Sequence, residues 1–127
     1  MEKAKIFLVE DNKAMGNALE SIFSFFEFTI VEWVMNKEKA IELIENGTLE
    51  RENVNIAIID GYFPNSVKDP IERLNGPSVA SLLKEKIPSI KIISFSSSSE
   101  CSFGDYNVNK FSNIEVLIKT IKKIIAS

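Results

Sequence analysis

The chain has 127 residues and no histidine, and its 15 basic and 18 acidic residues leave a formal net charge of −3. One domain, 1–127, is expected at that length. The missing histidine excludes Ser-His-Asp and Cys-His nucleophile pairs, histidine-bearing zinc fingers and a phosphohistidine of the chain's own, and the acidic balance argues against a nucleic-acid partner.

Apolar residues make up 45% and charged residues 26%, which fits a globular core that needs no staples. Cys101 is the only cysteine, so no intrachain disulfide can form and a reducing compartment is expected. The apolar run after Met1–Lys5 stops at Glu10, too early for a signal peptide. Ile22 to Met35 is interrupted by Glu27 and Glu32 and is too short to cross a bilayer. A cytoplasmic protein without a membrane partner is the expectation.

In chain order, Ala4 to Val9 reads as a short buried strand ending in the acidic turn Glu10-Asp11-Asn12. Met15, Leu19, Ile22 and Phe26 then recur on one helical face, with Asp11 or Asn12 as the cap. Thr29 to Val34 is a second strand. Asn36 caps a helix carrying Ala40, Ile41, Leu43 and Ile44, and Asn46-Gly47 ends it. After a polar connector, Val54 to Ile59 forms a third strand closed by Asp60. Gly61 to Asn75 shows no periodicity and holds two prolines, so it reads as a long loop.

Gly76-Pro77 opens the next helix, with proline at a position where no amide proton is missed. Val79, Leu82 and Leu83 face inward, and Pro88 stops it. Ile90 to Phe95 is a fourth strand. Ser96 to Asp105 reads as loop with one helical turn around Glu100 to Phe103, because its serines compete for the backbone. Tyr106 to Asn109 is a weak fifth strand. The last helix is capped by Ser112 and buries Ile114, Leu117, Ile118, Ile121, Ile124 and Ile125.

Short apolar strands alternating with helices predict an α/β fold, a parallel sheet covered on both faces. Five strands suggest the flavodoxin-like doubly wound order 2-1-3-4-5. In that order the C-terminal strand ends share one crevice. Glu10 and Asp11, Asp60, Ser96 and Lys110 would therefore converge. Clustered carboxylates repel unless a cation balances them, and all-oxygen ligands favour Mg2+. A metal, a hydroxyl and an ammonium beside a free carboxylate suit phosphoryl transfer, with Asp60 as the nucleophile. Taken singly, each residue also fits a turn, a cap or a solvated surface.

The residues resemble the receiver domain of two-component response regulators over nearly the whole chain. The resemblance is carried by Ile6-Phe7-Leu8-Val9-Glu10-Asp11-Asn12, by Ala57-Ile58-Ile59-Asp60-Gly61-Tyr62-Phe63-Pro64 with its Asp-x-x-x-Pro spacing, by Ile92-Ile93-Ser94-Phe95-Ser96-Ser97, by Lys110 and by Gly76. It implies that Asp60 accepts a phosphoryl group from a histidine kinase or phosphotransfer protein. Mg2+ would be held by Asp11, by Glu10 mostly through water, by Asp60 and by the Tyr62 backbone carbonyl. Ser96 and Lys110 would meet the phosphoryl oxygens. The partner would then supply the histidine that this chain lacks. The resemblance further implies no enzyme in the ordinary sense, only phosphoryl acceptance and autodephosphorylation, with signalling through an unknown downstream protein.

Three features depart from the family. The segment between Pro64 and Gly76 is long. The stretch 97–109 is short, so the fourth helix is expected to be truncated or lost. Phe111 follows Lys110 where the family has a cis proline, and a cis bond before Phe costs about 2.5–4 kcal/mol, so trans is expected. The family's aromatic switch position falls on Asn107, one residue after Tyr106. The leading expectation is a stand-alone phosphoreceiver. The alternatives are a degenerate receiver that binds a partner without phosphorylation and, more remotely, a Mg2+-dependent phosphatase. The phosphatase reading lacks the second acid two residues after the nucleophile, where Tyr62 stands.

Overall fold

Side-chain alternation along the strands sets the layers of this protein. The computed structural model describes residues 3–97 and 101–127. In chain order the elements are β1 (Lys5–Val9), α1 (Lys13–Phe25), β2 (Thr29–Val34), α2 (Lys37–Glu45), α3 (Thr48–Arg51), β3 (Ile56–Ile59), β4 (Tyr62–Ser66), β5 (Asp69–Leu74), α4 (Gly76–Lys86), β6 (Lys91–Ser96), β7 (Tyr106–Asn109) and α5 (Ile114–Ala126). The main sheet runs β2-β1-β3-β6-β7, and every pairing in it is parallel. This is the expected 2-1-3-4-5 order, with β6 and β7 as its fourth and fifth strands.

Ile6, Leu8, Ile56, Ile58, Ile93 and Phe95 point to one face and pack with Leu19 and Phe23 of α1 and Leu117, Ile118 and Ile121 of α5. Phe7, Val9, Ala57, Ile59 and Ile92 point to the other face, against α2, α3 and α4. The central strands are buried on both sides, which is why they read as unbroken apolar runs. No helix of the described residues is long and apolar enough to cross a membrane.

Several expectations need correction. The stretch 61–75 is not a loop but carries an antiparallel hairpin, β4–β5, pairing Tyr62 with Leu74, Phe63 with Arg73 and Pro64 with Glu72. Its prolines hid it. A two-stranded ribbon has two free edges, and there a missing amide proton is tolerated. The connector after Gly47 holds the short helix α3. Gly47 adopts a left-handed φ of 79°, and Asn46 Oδ1 accepts from Thr48 N at 2.9 Å. Asn113, not Ser112, caps α5, accepting from Glu115 N at 3.0 Å. Ser112 Oγ instead donates to the Asn109 carbonyl at 2.6 Å.

No described residue between β6 and β7 is helical. Ser98, Ser99 and Glu100, where part of the expected loop and helical turn fall, lie outside the described residues; residues 101–103 form no turn. A physical reason lies in the strands. Ser94 pairs with Asn107 and Ser96 with Asn109, and Ser94 Oγ donates to Asn107 Oδ1. These four residues occupy the face opposite Ile93, Phe95 and Val108, so that corner of the sheet has no apolar surface for a helix to cover. The chain returns close to β6. Asp105 Oδ2 accepts from Ile92 N at 2.8 Å and pairs with Lys84 at 2.8 Å. A Cβ on Gly104 would lie 2.7 Å from the Ile92 carbonyl oxygen.

The hairpin is tied down at its base by Asn75. This side chain is buried, and its Nδ2 donates to the Phe63 carbonyl at 2.8 Å and to Asn65 Oδ1 at 2.9 Å. Asn75→Ala leaves both acceptors without their donor. It should lower stability by about 1–3 kcal/mol, read as an earlier urea midpoint. An unchanged midpoint would show that the hairpin is not fixed to the domain through Asn75.

Candidate functional site

The site is built from strand ends. Hydrophobic burial holds β1 and β3 side by side, with Val9 paired to Ile59. The first polar residues after them, Glu10-Asp11 and Asp60, therefore emerge together. β6 ends in Ser96, and Lys110 follows β7, its backbone N–H donating to the Ser96 carbonyl at 3.0 Å. A cavity of about 500 Å³ opens over these ends and is lined by Glu10, Asp11, Asp60, Tyr62, Ser96 and Lys110. All the predicted site residues thus border one space. The Lys110–Phe111 bond is trans.

Lys110 Nζ lies 2.8 Å from Glu10 Oε1 and 2.9 Å from Asp60 Oδ2. It also sits 5.8 Å from the centre of the Phe95 ring. Glu10 is only 1% exposed. Its Oε2 accepts from Asn12 N at 3.1 Å, and its backbone carbonyl accepts from Trp33 Nε1 at 2.9 Å. Trp33 in turn lies flat on α1: a Cβ on Gly16 would meet its ring at 2.0 Å. Asp60 Oδ1 has a long contact, 3.4 Å, from Tyr62 N. Its second oxygen is thus taken by Lys110, while its first is only lightly held.

The charges respond to this crowding. Burial pushes the Glu10 carboxyl up to about 7, against the pull of the Lys110 hydrogen bond and with the Asp60 charge adding to the rise. Burial and then the Asp60 charge raise Asp11. For Lys110, burial disfavours the charged form, but hydrogen bonds to Asp60 and Glu10 outweigh it and hold the ammonium above its usual value.

Carboxylate oxygens of Glu10, Asp11 and Asp60 come within 4.8 Å of one another. Three carboxylates face one ammonium, and all the donors are hard oxygens. That set fits a divalent cation of the Mg2+ or Ca2+ type.

Sequence reasoning missed Glu72. It lies on β5 opposite Pro64 and, exposed at its rim, lines the same cavity as Asp11. Burial, then the charges of Asp11 and Asp60, raise its carboxyl above the usual range. No spacing rule reaches it, since only the hairpin brings it there. Phe111 also lines the cavity and is 79% exposed at its rim.

The sequence matches no family model, and no curated protein matches it. Solved structures match over nearly the whole chain. A CheY-like response regulator receiver domain from Methanospirillum hungatei JF-1 is 21% identical with a TM-score of 0.77, covering 98% of this chain and 95% of its own. A response regulator receiver protein from Sinorhizobium medicae WSM419 is 20% identical with a TM-score of 0.76, covering 99% and 97%. A response regulator from Thermotoga maritima is 16% identical with a TM-score of 0.72, covering 99% and 100%. The chain therefore has the CheY-like receiver fold.

The raised Glu10 gives a pH dependence. Its folded value near 7 lies above the ordinary 4.5, so the folded state holds the proton more tightly than the unfolded chain does. The stability this contributes is complete below pH 4.5 and is lost as pH rises to about 7. In metal-free buffer the wild type should lose on the order of 3 kcal/mol across that window relative to Glu10→Gln. Denaturation midpoints at the two ends measure this, and parallel profiles for the two proteins would refute it.

Proposed function

We propose that this protein is a phosphoreceiver: Asp60 takes a phosphoryl group from the phosphohistidine of a histidine kinase or phosphotransfer protein, and the modified surface is read by a downstream protein. The observation that carries this reading is the Asp60 carboxylate. It is buried at a strand end, with Oδ2 tied to Lys110 at 2.9 Å and Oδ1 met, among the described residues, by Tyr62 N at a long 3.4 Å. Supporting it are the receiver fold and the three carboxylates gathered around one space.

In the reaction, an Asp60 oxygen forms a bond to phosphorus as the donor's P–N bond breaks, and the imidazole leaves with a proton from solvent. Asp11, Asp60, Glu10 and the Tyr62 carbonyl would hold Mg2+, which when bound neutralises charge on the phosphoryl oxygens. Lys110 is already seated against Asp60 and can pass its hydrogen bonds to the new oxygens. Ser96 lines the cavity on the other side, where its hydroxyl can donate to the same group. Water later hydrolyses the acyl phosphate, so the chain acts as an acceptor with its own hydrolysis and not as a turnover enzyme. A cytoplasmic location belongs to this reading and rests on the unpaired thiol of Cys101.

Acetyl phosphate with Mg2+ should add one phosphoryl group, seen by intact mass, and Asp60→Ala should abolish it. Lys110→Ala and Ser96→Ala should slow it by about 10²-fold or more, the scale of losing one group that stabilises transferred charge. A wild-type chain that takes no phosphoryl group, from acetyl phosphate or from a phosphotransfer protein, would instead support a partner-binding adaptor.

A further inference from the structure

The outer strand of the hairpin, β5, is an open edge. β4 is the strand that lies against α2, and among the described residues β5 pairs with β4 alone. Pro70 through Leu74 are exposed along it, and Ile71 keeps 63% of its surface in solvent. A strand with one free side presents N–H and C=O groups that a further strand can pair with. Alternation puts Asp69, Ile71 and Arg73 on one face of β5. The ion pair between Arg73 Nη2 and Asp69 Oδ2, at 3.3 Å, shows the two charged members on that same face, one on each side of Ile71. Along the strand the row therefore runs acid, apolar, base.

We propose that β5 is the contact through which two copies of this chain associate, edge to edge and antiparallel, about a two-fold axis at Ile71. The row is complementary to itself in that register. In an antiparallel pair, the residues two before and two after the axis face each other across the strands. About Ile71, Asp69 faces the partner's Arg73 and Arg73 faces the partner's Asp69. Ile71 faces the partner's Ile71 between them, and Pro70 faces the partner's Glu72. Opposite charges meet twice and like charges do not meet. An axis at Glu72 would instead set two carboxylates face to face, which is unfavourable, so charge selects the register. Pro70 has no amide proton to give, a loss that an edge tolerates. The contact is small, so the association is weak and concentration-dependent. It uses the free edge of β5 in both copies and closes at two, as a four-stranded ribbon. It requires neither Mg2+ nor a phosphoryl group, and it stands apart from the phosphoreceiver reading.

Sedimentation velocity of the full chain over a rising concentration series in low-salt buffer should show monomer passing to dimer. Arg73→Asp leaves two acids on each edge, and Asp69→Arg leaves two bases. Each variant alone brings like charges face to face and should associate at least about ten-fold more weakly than the wild type. Mixed in equal amounts, the two variants are complementary at both positions, and the dimer should return. Mixing cannot repair the Asp69–Arg73 pair within one chain, so this recovery separates a contact between copies from a merely weakened hairpin. Far-UV circular dichroism checks that both variants are folded. If either is unfolded, Ile71→Lys, which sets two ammonium groups on the axis, takes its place and should abolish the association. A wild type that stays monomeric at every concentration overturns the proposal. So do folded variants that associate as tightly as the wild type, and so does a mixture of the two folded charge variants that does not regain the dimer.

Discussion

Lys110 stands between two carboxylates, 2.8 Å from Glu10 Oε1 and 2.9 Å from Asp60 Oδ2, and the rest of the site depends on it. Glu10 follows β1, Asp60 follows β3 and Lys110 follows β7. These strands are not all neighbours: β6 lies between β3 and β7. The ammonium therefore spans the sheet at its C-terminal edge and fixes the relative position of three strand ends. Removing one partner of such a buried set leaves an uncompensated charge, which costs about 3–5 kcal/mol. The same contact occupies Asp60 Oδ2, while Oδ1 accepts a long contact from Tyr62 N at 3.4 Å. Trp33 extends this arrangement by donating its indole N–H to the Glu10 carbonyl.

Around that fixed centre, the chain redistributes its surface. The corner formed by β6 and β7 shows Ser94, Ser96, Asn107 and Asn109 on one face. Covering those groups with an apolar helix would bury polar atoms, each costing about 1–3 kcal/mol if left unpaired. The sequence satisfies them locally. Ser94 bonds Asn107, Gly104 N donates to Asn107 Oδ1 at 3.2 Å, and Asp105 takes the Ile92 amide. A cavity of about 180 Å³ remains, lined by Ser94, Ser96, Cys101, Asn107 and Val108. Ser96 borders both this cavity and the one over Asp60, so it is the residue the two spaces share. Asn107 is tied into this polar network through its Oδ1.

What the sequence made legible follows from the range of the signals. Apolar runs such as Ile6–Val9 and Ile56–Ile59 announce buried parallel strands, because burial on both faces removes the need for alternation. Helix faces such as Leu117, Ile118 and Ile121 repeat at helical spacing. Once the strand order is known, Glu10, Asp11, Asp60, Ser96 and Lys110 follow from where the strands stop. The hairpin did not show itself, because Pro64, Asn65, Ser66, Pro70 and Glu72 are poor strand formers and the ribbon is held by its own backbone bonds and by Asn75. Glu72 was invisible for the same reason: its place in the site comes from a register between two strands that no periodic pattern marks. The cap of α5 is a local example. Ser112 and Asn113 are both good caps, and the choice went to Asn113 because the Ser112 hydroxyl is engaged by the Asn109 carbonyl.

The hairpin and the acidic cluster are joined by the backbone, which decides how this segment can matter. At one end Tyr62 N contacts the Asp60 carboxylate. At the other, the chain re-enters the domain at Gly76, packed so tightly that a Cβ there would lie 2.6 Å from the Asp60 carbonyl oxygen. In the middle Glu72 borders the same cavity as Asp11. Three points along 62–76 thus adjoin the acidic centre, whereas the tip at Val67 and Lys68 is exposed. A ribbon anchored at its base and free at its tip turns small shifts at the anchors into larger ones at the end. The start of β4 is held by Asp60 itself, through the Tyr62 N contact. The hairpin is therefore an extension of the cavity wall into the surface, with Glu72 on the cavity side and its tip in solvent.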